Sequence, residues 1–195
     1  MKEIIDGLLL GDASLQYRGK TSKARPRFGY NCKHHDFAKW VADTLHAEGL
    51  GFGPIHPKPN GYGTGETFQV MSRCDDLLSE FWERWYPSGK KVLPPDLTLT
   101  RTIANLWYVG DGGFDSCKGY LRQIGIAAHR YSDEDRDRLA GMLADQGIKT
   151  SVRRKMIYIT KRSIPYFLDW IGEPPHPCYQ YKWDFSQYVS KQPKY

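Results

Sequence analysis

Two apolar runs of helix length stop at the same acidic turn. One is Ile5-Asp6-Gly7-Leu8-Leu9-Leu10-Gly11-Asp12-Ala13, the other Ala104-Asn105-Leu106-Trp107-Tyr108-Val109-Gly110-Asp111-Gly112. A chain that uses one such element near its start and again near its middle repeats a structural unit. The positions that follow each aspartate recur in the same order. After Asp12, a polar stretch rich in Arg and Lys, from Leu15 to Cys32, reads as a hairpin. Gly19 supplies its turn, and Arg25-Pro26-Arg27 interrupts the run. A helix from Asp36 to Glu48 comes next, with Phe37, Val41 and Leu45 at i, i+4 and i+8 on one buried face and Gly49 closing it. After Asp111, a hairpin from Phe114 to Ala128 precedes a helix that opens at Ser132-Asp133-Glu134-Asp135, a start resembling a capping box. That helix buries Leu139 and Leu143 and ends at Gly147. Gly49 lies 37 residues after Asp12, and Gly147 lies 36 after Asp111.

Second hairpins follow, from Ile55 to Arg73 and from Thr150 to Lys161. The latter places Val152, Met156, Tyr158 and Thr160 on alternate positions. Each half then ends in an aromatic helix, Asp76 to Trp85 and Ser163 to Ile171, with prolines beyond it. The pattern is α-β-β-α-β-β-α, twice, which makes an α+β fold with helices on one face of antiparallel sheets. The repeats divide at 1–92 and 93–195. Gly7 and Gly11, four apart on the first helix, leave room for a second backbone to approach, and Gly110 stands at the matching place in the second run. Packing the two runs together brings Asp12 and Asp111 to one place, and paired carboxylates point to metal-dependent phosphodiester chemistry.

Composition sharpens this picture. Lys and Arg number 28 against 22 Asp and Glu, a net charge of +6, which favours a polyanionic partner, nucleic acid before membrane. No apolar run reaches the ~20 residues that a membrane span needs. The opening Met1-Lys2-Glu3-Ile4-Ile5 has neither a basic leader nor a small-residue cleavage site. The expectation is therefore an intracellular protein. Cys32, Cys74, Cys117 and Cys178 lie far apart without zinc-site spacing and read as reduced thiols. No Ser/His/Asp or Cys/His arrangement has a compelling spacing, and no phosphate-cradling Gly-x-x-x-x-Gly-Lys loop is present.

The two acidic turns, the join Gly89-Lys90-Lys91-Val92-Leu93-Pro94-Pro95, and the segments Phe167-Leu168-Asp169-Trp170-Ile171 and Pro177-Cys178-Tyr179-Gln180-Tyr181-Lys182 are similar to the LAGLIDADG homing endonucleases in their single-chain, two-repeat form. The resemblance covers nearly the whole chain. It departs at Ala13, where the family usually has Gly, and at Leu106, where it has a small helix-packing residue. It implies two signature helices packed about a pseudo-twofold axis, with four-stranded saddles laid in the DNA major groove. It further implies a monomer that cuts both strands of its target and is encoded within a mobile intron or intein-like element; because the halves differ in sequence, the expected target is long and asymmetric or only partly palindromic. Alternatives on the same fold are an intron RNA maturase and a DNA-binding protein that does not cleave.

Hydrolysis of a phosphodiester needs an activated water, a polarised phosphate and a stabilised leaving oxygen, and divalent metals supply all three. Mg²⁺ favours few carboxylates with waters and phosphate oxygens, so Asp12 would serve one strand and Asp111 the other, with the carbonyls of Ala13 and Gly112 completing the sites. Mn²⁺ is the substitute, and Ca²⁺ binds without supporting cleavage. Acidic residues are disfavoured at helix C-termini by the macrodipole, so fold economy alone does not account for the two aspartates. By resemblance, Lys91 and Lys182 match the basic positions of the active site, 79 residues after Asp12 and 71 after Asp111. An ammonium there stabilises developing charge or positions water. Strand alternation offers Gln16, Arg18 and Lys20, then Lys23, Arg25, Arg27 and Asn31, to DNA. Lys118, Arg122, Arg153 and Lys155 are the counterparts in the second half.

Overall fold

Each aspartate stands where a helix gives way to a strand. In the N-terminal half, α1 (Lys2–Leu10) leads into β1 (Ser14–Tyr17) and β2 (Pro26–Cys32), then α2 (His35–Ala47), β3 (His56–Pro59), β4 (Glu66–Met71), a 3₁₀ turn (Asp76–Leu78) and α3 (Ser79–Trp85). In the C-terminal half, α4 (Arg101–Asp111) leads into β5 (Gly112–Cys117) and β6 (Tyr120–Ala127). Then come α5 (Asp133–Asp145), β7 (Thr150–Arg153), β8 (Met156–Thr160), a 3₁₀ turn (Lys161–Ser163), α6 (Ile164–Ile171) and a last 3₁₀ helix (Pro177–Lys182). The predicted αββαββα order thus occurs twice. This is a computed structural model, and it describes residues 1–17, 25–59, 65–117 and 120–186. The predicted turn at Gly19 lies outside these. The chain divides into two compact units, Met1–Pro94 and Pro95–Tyr195.

Both sheets are four-stranded and antiparallel, ordered β1-β2-β4-β3 and β5-β6-β8-β7. Pro26 does not break the first hairpin: it opens β2, buried and paired with Tyr17. Strand β3, His-Pro-Lys-Pro, tolerates two prolines because it is an edge strand and pairs only with β4. The two predicted terminal helices each begin with a 3₁₀ turn. Asp75 Oδ1 caps the first of these by accepting from the Leu77 N–H at 3.0 Å.

One face of each sheet is the core. Phe28, Tyr30 and Val70 lie buried with Phe37, Val41 and Leu45 of α2, which packs on β2 and β4. In the other unit Ile124, Ile126, Ile157 and Ile159 are buried with Leu139 and Leu143 of α5, which packs on β7 and β8. Burying such side chains contributes about 1.5–3 kcal/mol each. Ser132 Oγ accepts from the Asp135 N–H at 3.1 Å, so the predicted cap forms. Gly49 and Gly147 end α2 and α5 at φ 103° and 77°, a conformation that costs any other residue.

A buried polar residue ties each aspartate-bearing helix to the end of its unit. Six residues before Asp12, Asp6 is 2% exposed. Its Oδ1 accepts from Trp85 Nε1 at 2.7 Å, and Arg84 Nη1 donates to its two oxygens at 3.0 and 3.2 Å. Six residues before Asp111 stands Asn105, whose amide donates to the carbonyls of Ile171 at 3.0 Å and Glu173 at 2.8 Å. The two halves solve the same attachment with different chemistry.

Candidate nucleic-acid interface and catalytic turns

The turns that carry the aspartates are held by lysines. Helix α1 ends at Gly11, whose φ of −93° and ψ of −132° leave the helix, and the Ala13 N–H reaches back to the Leu8 carbonyl at 2.9 Å. Lys91 Nζ donates to the carbonyls of Gly11 at 3.1 Å and Ala13 at 2.8 Å, the two residues on either side of Asp12. In the other unit Lys182, 9% exposed, donates to the carbonyls of Tyr108 at 3.3 Å, Val109 at 2.6 Å and Gly112 at 2.7 Å. Those three acceptors are enough to take all three N–H groups of an ammonium. Each lysine also lies near an aromatic ring, Lys91 at 5.8 Å from Trp85 and Lys182 at 5.7 Å from Tyr108.

A helix C-terminus carries partial negative charge and unpaired carbonyls. Placing an aspartate there adds repulsion, and a lysine on the same carbonyls offsets both. Lys91 and Lys182 therefore work from the helix end, where they satisfy carbonyls and lower the cost of the neighbouring carboxylate. Asp12 is exposed and Asp111 half-buried.

The second turn is tighter. A Cβ on Gly112 would overlap the Tyr108 ring and meet the Tyr108 carbonyl at 2.6 Å. The Tyr108 hydroxyl in turn donates to the Lys182 carbonyl at 2.7 Å. Burial, reinforced by Tyr181, raises that phenol above its ordinary range, so it remains a donor. Three residues before Asp12 stands Leu9, with no ring, and there Ala13 is accommodated fully buried. Gly112→Ala is expected to destabilise the protein by about 1–3 kcal/mol through overpacking, and adding Tyr108→Leu not to recover it, because the Tyr108 carbonyl still meets the new Cβ and the hydroxyl bond to Lys182 is lost. Chemical denaturation of the two variants checks this.

The sheet faces opposite the cores are polar. In the N-terminal unit register pairs Gln16 with Arg27 and Asn31 with Gln69, and Gln69 with His56. Arg27 Nη2 donates to Gln16 Oε1 at 2.8 Å. These residues share one face with Lys58, which pairs with Thr67. Arg25 precedes β2, and its Nε donates to Asp76 Oδ1 at 2.9 Å, away from that group. Arg18, Lys20, Lys23 and Lys118 lie outside the described residues.

In the C-terminal unit the face forms a cleft of about 750 Å³ lined in part by Asp111, Asp115, Arg122, Gln123, Arg153 and Tyr158. The register shift between Asp115 and Ser116 leaves Arg122 as an extra residue on β6. This bulge lets Arg122 and its neighbour Gln123 both line the cleft. Lys155 is exposed at the β7–β8 turn, where it and Arg154 adopt φ of 60° and 50°. Gln123, Tyr158, Gln69 and His56 join these faces without standing out by charge, although alternation with the buried Ile124, Ile126, Ile157 and Ile159 marks Gln123 and Tyr158.

Among the described residues no three His, Cys, Asp or Glu side chains come together as a metal cage. The donor set instead offers one carboxylate per unit, and the Ala13 and Gly112 carbonyls each already hold a lysine. That set fits a hard divalent ion that keeps waters and takes phosphate oxygens from a substrate. No helix among the described residues is long and apolar enough to cross a membrane, and all four cysteines are free thiols.

The model of the LAGLIDADG DNA endonuclease family matches residues 2–167. The chain belongs to that family. Among curated proteins, this LAGLIDADG chain is 28% identical over 142 residues to the uncharacterised protein MJ1098 of Methanocaldococcus jannaschii, covering 70% of this chain and 52% of that one. It is 28% identical over 121 residues to the cytochrome b mRNA maturase bI2 of Debaryomyces hansenii, covering 58% and 45%. The chain thus spans about half the length of these relatives. Among solved structures, the homing endonuclease I-WcaI bound to its DNA recognition sequence superposes with a TM-score of 0.77 at 17% identity, covering 94% of this chain and 85% of that one. I-DmoI in complex with DNA and Mn superposes at 0.53 and 13% identity, covering 87% and 96%. The two four-stranded antiparallel sheets with their helices are the LAGLIDADG fold.

Proposed function

We propose that this LAGLIDADG protein is a site-specific double-strand DNA endonuclease that hydrolyses phosphodiesters with a divalent metal, Mg²⁺ or Mn²⁺. The observation that carries the reading is the recurrence, in both units, of an aspartate on a lysine-capped helix end, leading directly into a sheet with a polar face. Asp12 holds the metal for one strand and Asp111 for the other. A metal held there would polarise the phosphate and lower the pKa of a water. Lys91 and Lys182 hold the turns that aim the carboxylates. Arg27, Asn31, Gln69 and His56 face one half of the target, and Arg122, Gln123 and Arg153 the other. Because these two sets differ, the target is long and asymmetric, and a monomer reads it. The protein works where its host DNA is.

The test is incubation with Mg²⁺ and DNA carrying the uninterrupted form of the gene that hosts this reading frame. Discrete double-strand cutting that EDTA removes supports the endonuclease. Specific binding without cutting moves the case to a DNA-binding protein. The similarity to a maturase supports a second reading, an intron RNA-binding protein; specific binding to host intron RNA with none to DNA selects it. Either polyanion releases counterions on binding. Affinity for DNA is expected to fall at least about a hundredfold between ~50 and ~200 mM salt. A flat titration by fluorescence anisotropy would remove the sheet faces as the contact surface.

A further inference from the structure

We propose that Arg153 reads a single guanine in the half of the target facing the C-terminal unit, and that Asp115 and Gln123 hold it in reading position. The proposal rests on the DNA-binding reading above. Asp115 and Gln123 are direct cross-strand partners on β5 and β6. Gln123 Nε2 donates to Asp115 Oδ2 at 2.5 Å, and Gln123 Oε1 accepts from Arg153 Nη2 at 2.8 Å. A carboxylate accepts only, so Asp115 decides which end of the amide is the nitrogen and turns the oxygen towards Arg153. The guanidinium lies 4.3 Å from the centroid of the Tyr158 ring. That ring in turn lies across Gly125: a Cβ there would meet Tyr158 Cε1 at 3.2 Å and Met156 Cε at 3.0 Å. Carboxylate, amide, guanidinium and aromatic ring thus form one chain across the sheet face, with the cation held between the amide and the ring.

With one N–H given to Gln123, the guanidinium keeps a two-pronged edge, the shape that pairs with guanine O6 and N7. Gln123, by residue type an adenine reader, has its amide oxygen already accepting from Arg153. It acts through Arg153 as a positioning residue. Stacking on Tyr158 and the bond to Gln123 remove the freedom that a long side chain would otherwise lose on binding.

The experiment is selection from a randomised duplex pool by the full chain and its variants, with sites sequenced and each variant's melting temperature measured. Wild type is expected to enrich targets that require guanine at one position of one half-site. Arg153→Ala should lose about ten- to a hundredfold discrimination at that base pair and leave the other positions unchanged. Asp115→Ala and Gln123→Ala should broaden the same position with little change in melting. Gln123→Glu alone sets two carboxylates against each other and should also broaden it. Asp115→Asn with Gln123→Glu reverses the polarity of the first bond, keeps an acceptor for Arg153 and should restore the guanine. A uniform loss of affinity in Arg153→Ala, with every position's preference intact, would make Arg153 a phosphate contact and overturn the proposal. Loss at that position in Arg153→Ala but in neither Asp115→Ala nor Gln123→Ala would overturn the positioning chain. A wild-type protein that enriches no sequence would overturn the DNA-reading function along with it.

Discussion

Asp111→Asn is expected to lower double-strand cleavage by about a thousandfold or more while changing DNA affinity less than about threefold, and Asp12→Asn to do the same. A metal-held phosphate and water account for several kcal/mol of barrier, and each ~1.4 kcal/mol is tenfold in rate. Asparagine keeps the size of the side chain but loses the charge and one of its metal-binding oxygens. The turn itself should survive, because Lys182 holds it through the Tyr108, Val109 and Gly112 carbonyls. Binding should survive because the sheet faces, with Arg122, Gln123 and Arg153 in one unit and Arg27, Asn31 and Gln69 in the other, are unchanged. With one carboxylate per strand, a single variant should accumulate nicked circles from a supercoiled plasmid carrying the target, and the double variant neither nicked nor linear product. Linear product forming at the wild-type rate in either single variant would remove that aspartate from metal binding.

The elements were legible because each carries its period in the residues themselves. Phe37, Val41 and Leu45 mark one helix face, and Ile157 and Ile159 one sheet face, whatever lies elsewhere in the chain. The two aspartates were legible because the runs before them are alike. The lysines were placed by resemblance, but their work at the helix ends was not visible. It depends on where the carbonyls of Gly11, Ala13 and Gly112 point once segments 70 to 80 residues away fold onto them. The apparent cost of an aspartate at a helix C-terminus was the one local sign that a cation must sit there.

Register explains most of what the sequence left out on the sheet faces. Charge marks Arg122 but not Gln123, because the bulge at Asp115/Ser116 that turns both residues towards the cleft has no signature in composition. Arg25 looked like its neighbour Arg27, yet it stands one position before the strand, and Asp76 holds it. Ala13 and Leu106 mark places where the halves differ. For Ala13 the backbone differs: its N–H reaches Leu8, five residues back, whereas the Gly112 N–H stays on Tyr108, four back, and there a Cβ would meet both the Tyr108 ring and its carbonyl.

Asp6 is the residue whose meaning was least visible, since it stands inside an apolar run and its partners come from the other end of its unit. Asp6→Ala is expected to destabilise the protein by about 3–5 kcal/mol, because it removes the buried carboxylate that accepts from both the half-buried Arg84 guanidinium and the buried Trp85 indole. The Arg84 side chain is 15% exposed and would lose both of its carboxylate contacts, while the fully buried Trp85 would lose the acceptor for its indole N–H. For a chain of this length that corresponds to a fall of roughly 10 °C in Tm. Asn105→Ala should cost less, about 1–3 kcal/mol, since it strands two neutral carbonyls and no charge. The comparison with Asp6→Leu combined with Arg84→Met isolates the cause. Removing both charges should recover a large part of the loss, as apolar replacements of buried ion pairs generally do, with the Trp85 indole still unpaired. Urea denaturation followed by tryptophan fluorescence reads all three variants. A loss below ~1 kcal/mol in Asp6→Ala would mean that water already reaches this carboxylate, and that the attachment of α1 to α3 rests on apolar packing alone.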